Sequence, residues 1–154
     1  MSTAAVLTAT HIGDEALPYV DTGTGVELKV VQVRHEEGLW ILKNRFAPGA
    51  AIPTHRHTGP VFGYTLSGAW KYAEYDDVNR AGSFLYEPAG SVHTLTVLPS
   101  NTEPTEVWFQ IYGCNLNLDE YGNVTSVVDG RAILDYYRMM CQSIGVENPP
   151  VLVG

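Results

Sequence analysis

The chain has 154 residues, of which 45% are hydrophobic and 17% are charged, so it is long enough for one packed domain and too apolar for intrinsic disorder. Nine lysines and arginines against 17 aspartates and glutamates give a net charge of -8, which repels nucleic acid and anionic membranes and predicts neither as a partner. No apolar run reaches the ~18 residues that cross a bilayer, and no basic secretory leader is evident near Met1, so we expect a cytoplasmic protein.

Short runs of β-branched and aromatic residues dominate the middle of the chain, and turn residues separate them. The runs cover residues 26–33, 40–46, 61–66, 70–75, 83–86, 93–98 and 106–112. Glycine or proline stands at most of the corners, for example in residues 47–50 and 88–90. Because no helical pattern intervenes, the spacing predicts an antiparallel sandwich or barrel of about seven or eight strands and not a parallel sheet.

The segment after these runs has a different pattern. Residues 119–123 are typical of a hairpin tip between two apolar stretches. A helix is predicted next, because Asp129 is a favourable N-cap and apolar residues recur at helical spacing. Those residues are Ile133, Leu134, Tyr137, Met140 and Cys141. Gly145 is expected to end the helix, which we expect to pack on the outside of the β-domain or at a subunit contact.

Three of the five histidines lie in the segments most structured by glycine and proline, and they are the strongest candidates for chemistry. His55 and His57 are two residues apart, so on an extended backbone both imidazoles leave the same face of the sheet. Such a pair can hold a metal ion, and His93 is the third candidate ligand. His11 and His35 lack comparable surroundings and are expected to be surface or hydrogen-bonded residues.

The glycines and prolines around the candidate ligands have a specific spacing. They are Gly49, His55, His57 and Gly68 in one stretch, and Gly82, Pro88, Gly90 and His93 in the other. Both stretches resemble the signature motifs of the cupin family. The resemblance implies one all-β cupin domain over residues 1–154, with a double-stranded β-helix or jelly-roll barrel over about residues 26–112. The hairpin and the C-terminal α-helix would occupy about residues 113–145, and one metal ion would lie in the barrel.

Val61 departs from the family pattern, because cupins usually have a glutamate ligand at the corresponding position. Without that glutamate, the resemblance implies a metal site of His55, His57 and His93 alone, whose neutral ligands leave coordination positions open. Three imidazoles suit iron, zinc, nickel or copper, so the ligand type does not identify the metal.

Cupins with three histidines and no glutamate resemble the non-haem iron dioxygenases that cleave carbon–carbon bonds. Residues 54–60, 67–70, 86–95 and 115–120 are similar to the 2,4'-dihydroxyacetophenone dioxygenase family. That resemblance implies an Fe(II) oxidoreductase of aromatic compound degradation, a dioxygenase that converts an aryl 2-hydroxyketone and O2 into an aryl carboxylate and formate. It also implies a homo-oligomer, either a dimer or a tetramer.

Two further residues are candidates for the same site. Glu87 ends a predicted strand six residues before His93. It is our candidate for the acid/base group or for a group that holds a ligand, and the alternative is a strand-end glutamate that faces solvent. Gly63 shares the strand face of Val61 and is expected to leave room in the substrate pocket for an aryl ring.

The residues leave other functions open. A diketone-cleaving dioxygenase fits the same ligands, and so does a zinc- or nickel-dependent isomerase or hydrolase. A metal-containing ligand-binding module and a barrel without a working site are the remaining alternatives. Consumption of O2 separates the dioxygenases from the others.

Overall fold

The computed structural model describes residues 6–154, so residues 1–5, part of the segment behind the cytoplasmic prediction, lie outside the described residues. The described chain forms thirteen strands and one α-helix. The strands are β1 (Val20–Asp21), β2 (Val26–Arg34), β3 (Leu39–Phe46), β4 (Ala51–His57), β5 (Val61–Ser67), β6 (Ala69–Tyr72), β7 (Asn79–Arg80), β8 (Phe84–Glu87), β9 (Val92–Val97), β10 (Thr105–Tyr112), β11 (Asn115–Leu118), β12 (Val124–Val128) and β13 (Leu152–Val153). The helix α1 spans Gly130–Ser143, and a 3-10 turn at Asp14–Ala16 precedes β1.

The predicted all-β fold with a C-terminal helix is confirmed. Each predicted apolar run contains a strand, although β6 ends at Tyr72, before the predicted end at residue 75. The strand that carries the first two histidines, β4, was not among the predicted runs. Its third residue, Pro53, cannot donate a ladder hydrogen bond, and the register with β9 shifts between Ile52 and His55, so its strand pattern is weak.

The strands form two sheets that enclose the core. The seven-stranded sheet has the order β1-β2-β3-β10-β5-β8, with β13 also paired to β2, and the six-stranded sheet has the order β12-β11-β4-β9-β6-β7. The pairs are antiparallel except for β13 with β2, which are parallel. Two antiparallel sheets in this arrangement form a jelly-roll barrel.

Alternation along the strands decides what faces the interior. On β10, Val107, Phe109 and Ile111 are buried, whereas the intervening Trp108 and Gln110 point outward and are half-buried. Buried apolar residues of both sheets and of α1 belong to one continuous cluster. The interior of the barrel is therefore lined mainly by hydrocarbon, and a polar side chain inside it requires a hydrogen-bond partner or a bound group.

The helix α1 begins and packs as predicted. The Asp129 carboxylate accepts a hydrogen bond from a backbone N–H of the first turn at 2.8 Å. Leu134, Tyr137 and Cys141 form its buried face, and the Tyr137 hydroxyl donates to the Pro18 carbonyl at 2.6 Å. The helix contacts β1, β2 and β12. At 14 residues, it is too short to cross a membrane, and no other helix of the described residues is long and apolar enough.

Candidate metal centre

The strands β4 and β9 bring the three predicted histidines to the interior face of the six-stranded sheet. His55 and His57 alternate with the half-buried Arg56 along β4, and His93 on β9 lies opposite His55 in the antiparallel register. The exposed fractions of His55, His57 and His93 are only 6%, 7% and 3%. The rings of His55 and His57 meet edge to face, with their centroids 5.1 Å apart. His11 and His35 are exposed.

Glu87 reaches the same place from the seven-stranded sheet. It lies on β8 directly opposite Val61 of β5, the position at which the family pattern has its glutamate. The side chain is buried, with 2% of the residue exposed, so the alternative of a solvent-facing glutamate is wrong. One potential ligand atom each of His55, His57 and Glu87 lie within 4.8 Å of one another, whereas the predicted third ligand, His93, is not part of this group among the described residues. The site therefore contains a carboxyl group beside its imidazoles, which β8 provides from the position opposite Val61.

Tyr72 connects Glu87 with the third histidine. Its hydroxyl donates a hydrogen bond of 2.6 Å to Glu87 Oε1, and the same oxygen lies 3.5 Å from His93 Nε2. The Tyr72 ring stacks on the His93 ring, with the centroids 4.2 Å apart. No sequence motif marks Tyr72, because an aromatic residue in a small barrel is more often part of the core. The only available signal was its position on the strand that pairs with the His93 strand.

Most of the histidine nitrogens lack a hydrogen-bond partner. His55 Nδ1 lies 2.8 Å from the Pro53 carbonyl, which leaves Nε2 as its free nitrogen. His57 Nδ1 and both ring nitrogens of His93 are buried without a partner among the described residues. Buried polar atoms are nearly always paired, so imidazoles with unpaired nitrogens indicate that a bound group completes this site. Imidazoles with a nearby carboxylate are a donor set that suits a divalent transition metal.

Burial also holds the ring nitrogens in the form that binds metal. Loss of solvation lowers the pKa of all three histidines, and it lowers the pKa of His57 to about 3. The imidazoles are therefore neutral at physiological pH and retain a free electron pair. Burial raises the pKa of Glu87, and the hydrogen bond from Tyr72 opposes that rise. Burial and the adjacent Glu87 carboxylate raise the pKa of the Tyr72 phenol, which remains a donor.

A cavity of about 210 Å³ opens beside these residues. His55, His57, Tyr72 and Glu87 form one part of its wall, and Asn44 and Asn115 are its other polar residues. The rest is apolar and consists of Leu28, Trp40, Leu42, Ile52, Val61, Leu95, Phe109, Ile111, Val128 and Ile133. A volume near the small end of ligand sites suits a molecule of about one ring.

Gly63 does not line this cavity itself. It is buried on the interior face with Val61, but the Phe109 ring and Leu85 lie over it. A Cβ atom at residue 63 would stand 3.3 Å from Phe109 Cε1 and 3.4 Å from Leu85 Cβ. The missing side chain therefore makes room for Phe109, and Phe109 in turn borders the cavity. A substrate-pocket role for Gly63 stays a prediction, and it would act through Phe109.

Comparison with known protein families identifies this arrangement. Residues 8–111 match the ChrR cupin-like domain, which covers more than half of the chain. The chain belongs to the ChrR-like cupin family. The two histidine-containing segments, on β4 and on β8 and β9, both lie within the matched cupin region.

Solved structures are similar to this cupin over nearly its whole length. A protein of unknown function with a cupin-like fold from Ralstonia eutropha is 29% identical, with a TM-score of 0.86, and the match covers 100% of this chain and 95% of that one. An RmlC-like cupin from the same organism is 26% identical, with a TM-score of 0.88 and 96% of each chain covered.

A more distant structural neighbour is an acetylacetone dioxygenase from Acinetobacter johnsonii. It is 15% identical, with a TM-score of 0.75, and the match covers 91% of this cupin and 97% of that enzyme. At this identity the likeness shows the shared fold. No curated protein matches the chain. The family is thus shown, whereas the similarity to 2,4'-dihydroxyacetophenone dioxygenases stays a prediction.

Proposed function

We propose that this single-domain cupin is a non-haem Fe(II) dioxygenase that cleaves the carbon–carbon bond of an aryl 2-hydroxyketone. The reaction consumes O2 and yields an aryl carboxylate and formate, with both oxygen atoms of O2 in the products. The observation that carries the proposal is the convergence of His55, His57 and Glu87, whose potential ligand atoms lie within 4.8 Å of one another at the wall of a mostly apolar cavity.

His55, His57 and His93 would hold the metal ion in this proposal. Their burial keeps them neutral, and their free nitrogens match the donors that Fe(II), Zn, Ni and Cu accept. Bound Fe(II) would supply Lewis acidity toward the ketone and hydroxyl oxygens of the substrate and a redox-active centre for O2. The protein's task is to keep the three rings in place and to bind the substrate beside them.

Glu87 is the proposed proton acceptor. A 2-hydroxyketone must lose a proton to become an electron-rich enediolate, and a buried carboxylate next to the cavity is suited to receive it. The Tyr72 hydroxyl holds Glu87 Oε1 through the 2.6 Å hydrogen bond and thereby sets the direction of the carboxylate. The same carboxylate can return the proton to a product before release.

The apolar part of the cavity would bind the aryl group and exclude water. Trp40, Phe109 and Leu42 provide flat and branched apolar surface in the wall of the cavity. Exclusion of water strengthens the electrostatic effect of Glu87 on the substrate. The volume of about 210 Å³ favours a single-ring substrate over a larger one.

A diketone-cleaving dioxygenase is the second candidate. The fold shared with the acetylacetone dioxygenase from Acinetobacter johnsonii favours it, since that enzyme's named substrate is a small diketone. Both functions place the same demands on the three histidines. They differ in the organic substrate that fills the apolar wall.

The experiment that tests the proposal is turnover with a defined metal. The chain is loaded with Fe(II) without oxygen, given 2,4'-dihydroxyacetophenone and then mixed with air-saturated buffer. We expect O2 uptake and formate release in equal amounts, and neither from the metal-free chain. Uptake with acetylacetone instead would favour the second candidate. No uptake with any of these compounds when Fe(II) is fully bound would contradict both. Light scattering on the same sample tests the predicted dimer or tetramer.

A further inference from the structure

Asn115 and His57 form a pair of neighbours whose polar groups are not satisfied. They lie opposite each other in the register of β11 and β4, and both line the cavity. Asn115 Oδ1 is buried without a hydrogen-bond donor, and His57 Nδ1 is buried without a partner. On adjacent strands, side chains of directly opposed residues are in contact range. An unused acceptor and an unused ring nitrogen thus belong to directly opposed residues, although the two atoms form no hydrogen bond with each other in this metal-free chain.

Two further side chains hold the Asn115 amide in its orientation. Asn115 Nδ2 donates to Asn117 Oδ1 at 3.0 Å, and Asn117 Nδ2 donates to Ser126 Oγ at 2.9 Å. Because Asn115 Nδ2 faces Asn117, the oxygen of the amide is left for another donor. The chain of hydrogen bonds ends at that oxygen, and no described residue donates a hydrogen bond to it.

The histidine two residues earlier shows what the pair lacks. His55 Nδ1 already faces a fixed acceptor, the Pro53 carbonyl, at 2.8 Å. Such an acceptor keeps the ring proton on Nδ1 and directs Nε2 toward a metal ion. His57 has no backbone acceptor of this kind. Asn115 Oδ1 is the neighbouring atom that can serve in its place.

We propose that Asn115 is a positioning residue of the metal centre, whose Oδ1 accepts the Nδ1–H of His57 when a metal ion is bound at His57 Nε2. This inference rests on the proposed metal-dependent function. A neutral imidazole carries one proton, and a metal ion at one nitrogen places that proton on the other. Binding of the metal would therefore satisfy the two orphaned atoms together. Asn117 and Ser126 would transmit the fixed geometry from β12 to the His57 ring.

As a positioning residue, Asn115 would act on metal binding, unlike an asparagine that only supports the fold. In the metal-free chain its oxygen has no donor, so removal of the amide oxygen costs the fold no hydrogen bond at that atom. The effect of the oxygen should be evident only with metal present, whereas loss of the Nδ2 donor to Asn117 affects the metal-free fold as well. Asn44 is a matched control, since it lines the same cavity from β3, but its Nδ2 donates to the Glu27 carbonyl at 3.2 Å.

The test measures Co(II) binding to the full chain by its visible absorption. Asn115→Ala is expected to bind Co(II) about 10- to 100-fold more weakly than the unaltered chain, the usual cost of losing the group that holds a metal-binding histidine. Asn115→Asp retains an acceptor for His57 but gives up the donor to Asn117, so it should bind more tightly than Asn115→Ala. Asn44→Ala should bind with unchanged affinity. The unfolding temperature of the metal-free Asn115→Ala protein should not fall below that of Asn44→Ala.

A second measurement needs no variant. In the Zn(II)-loaded chain with 15N-labelled histidine, the His57 ring should carry its proton on Nδ1, and that proton should exchange slowly with water. A proton on Nε2, or fast exchange at Nδ1, would overturn the role of Asn115. Equal Co(II) affinity of Asn115→Ala and the unaltered chain would overturn it as well while leaving the proposed function standing. An unaltered chain that binds neither metal would overturn both.

Discussion

The molecule buries polar side chains in two regions, one on the outside of the seven-stranded sheet and one between the two sheets, and only the first provides partners for all of its buried charges. The outer cluster, defined as Asp14, Tyr19, Lys29, Lys43 and Arg45, lies on the outside of β2 and β3. The Lys29 and Lys43 side chains are only 5% and 7% exposed, yet both ammonium groups have partners. Lys29 Nζ lies 2.7 Å from the Asp14 carbonyl oxygen and 3.1 Å from Oδ1, and Lys43 Nζ lies 3.0 Å from the same Oδ1.

Tyr19 completes the pairing in the outer cluster. Its ring lies 4.5 Å from Lys29 Nζ and 4.2 Å from the Arg45 guanidinium carbon, within range for cation–π contacts. Arg45 also forms an ion pair with Glu27 at 2.6 Å. The segment before β1 is thereby fixed across the outside of the sheet, and each buried charge there has a partner of opposite character.

The interior site lacks this completeness. His57 and His93 have buried nitrogens without partners, and Asn115 has a buried oxygen without one. An unpaired buried polar group costs about 1–3 kcal/mol, so a fold keeps several of them together only where something else supplies the partner. In this protein, paired polar groups support the fold, whereas unpaired ones indicate the site of a ligand. Substitutions in the two regions should therefore have opposite effects on stability and on metal binding.

Loss of a proposed metal ligand should abolish metal-dependent activity and leave the outer cluster intact. We expect His57→Ala to lose metal-dependent O2 uptake by more than about 1000-fold, since loss of a group that merely holds a ligand already costs about 10- to 100-fold. The metal-free protein should lose only the stability that removal of one buried ring costs, because His57 Nδ1 has no hydrogen-bond partner among the described residues. Exposed His35→Ala is the control. Full uptake by the His57→Ala variant would contradict the proposed ligand role.

Removal of the buried charge at Glu87 should have the next largest effect. Glu87→Gln keeps the shape of the side chain but cannot accept a proton, and we expect kcat to fall about 100-fold with little change in KM. Tyr72→Phe retains the carboxylate and loses its hydrogen bond of 2.6 Å, so a loss of about tenfold is expected. Steady-state O2 uptake measures both. Unchanged turnover in Glu87→Gln would show that the carboxylate is not the proton acceptor.

In the outer cluster the expected effect is on stability alone. Asp14→Asn removes the anion shared by Lys29 and Lys43. We expect the free energy of unfolding to fall by about 1–2 kcal/mol, less than for a fully buried pair because the Asp14 side chain is 64% exposed. Co(II) affinity should stay the same. Glu36→Gln, at an exposed position in the β2–β3 turn, is the matched control for urea unfolding.

The outer cluster should also make the stability of the protein depend on pH. Hydrogen bonds from Lys43 and Lys29 hold the pKa of the Asp14 carboxyl below its ordinary value of 3.8. The stabilisation is therefore present above that value and is lost as the pH falls through the lower value of the folded state. We expect the unaltered chain to lose stability below about pH 4 more steeply than Asp14→Asn. Parallel unfolding curves from pH 3 to 6 would contradict this role of Asp14.

The fold and the three histidines could be predicted from local pattern, but the contacts between sheets could not. The spacing of His55, His57 and His93 with their glycines can be recognised in the sequence because it reflects local turns and the alternation of side chains along a strand. Glu87 could be nominated from its position on a strand, but its place opposite Val61 depends on the register of β5 and β8. The same limit applies to Tyr72, whose partner lies on the other sheet, and no motif marks such a meeting.

The smallest effect is expected at Gly63, where the interior wall depends on a missing side chain. In Gly63→Ala the added Cβ would meet Phe109 Cε1 at 3.3 Å, so the ring must move by a few tenths of an ångström toward the cavity that it borders. Alanine is favoured over glycine in a strand by about 0.5–1 kcal/mol, which offsets the crowding, so stability should change little. KM for the aryl hydroxyketone should rise several-fold, whereas KM for a smaller diketone should not. An equal rise for both compounds would mean that Phe109 does not limit the room for the ring.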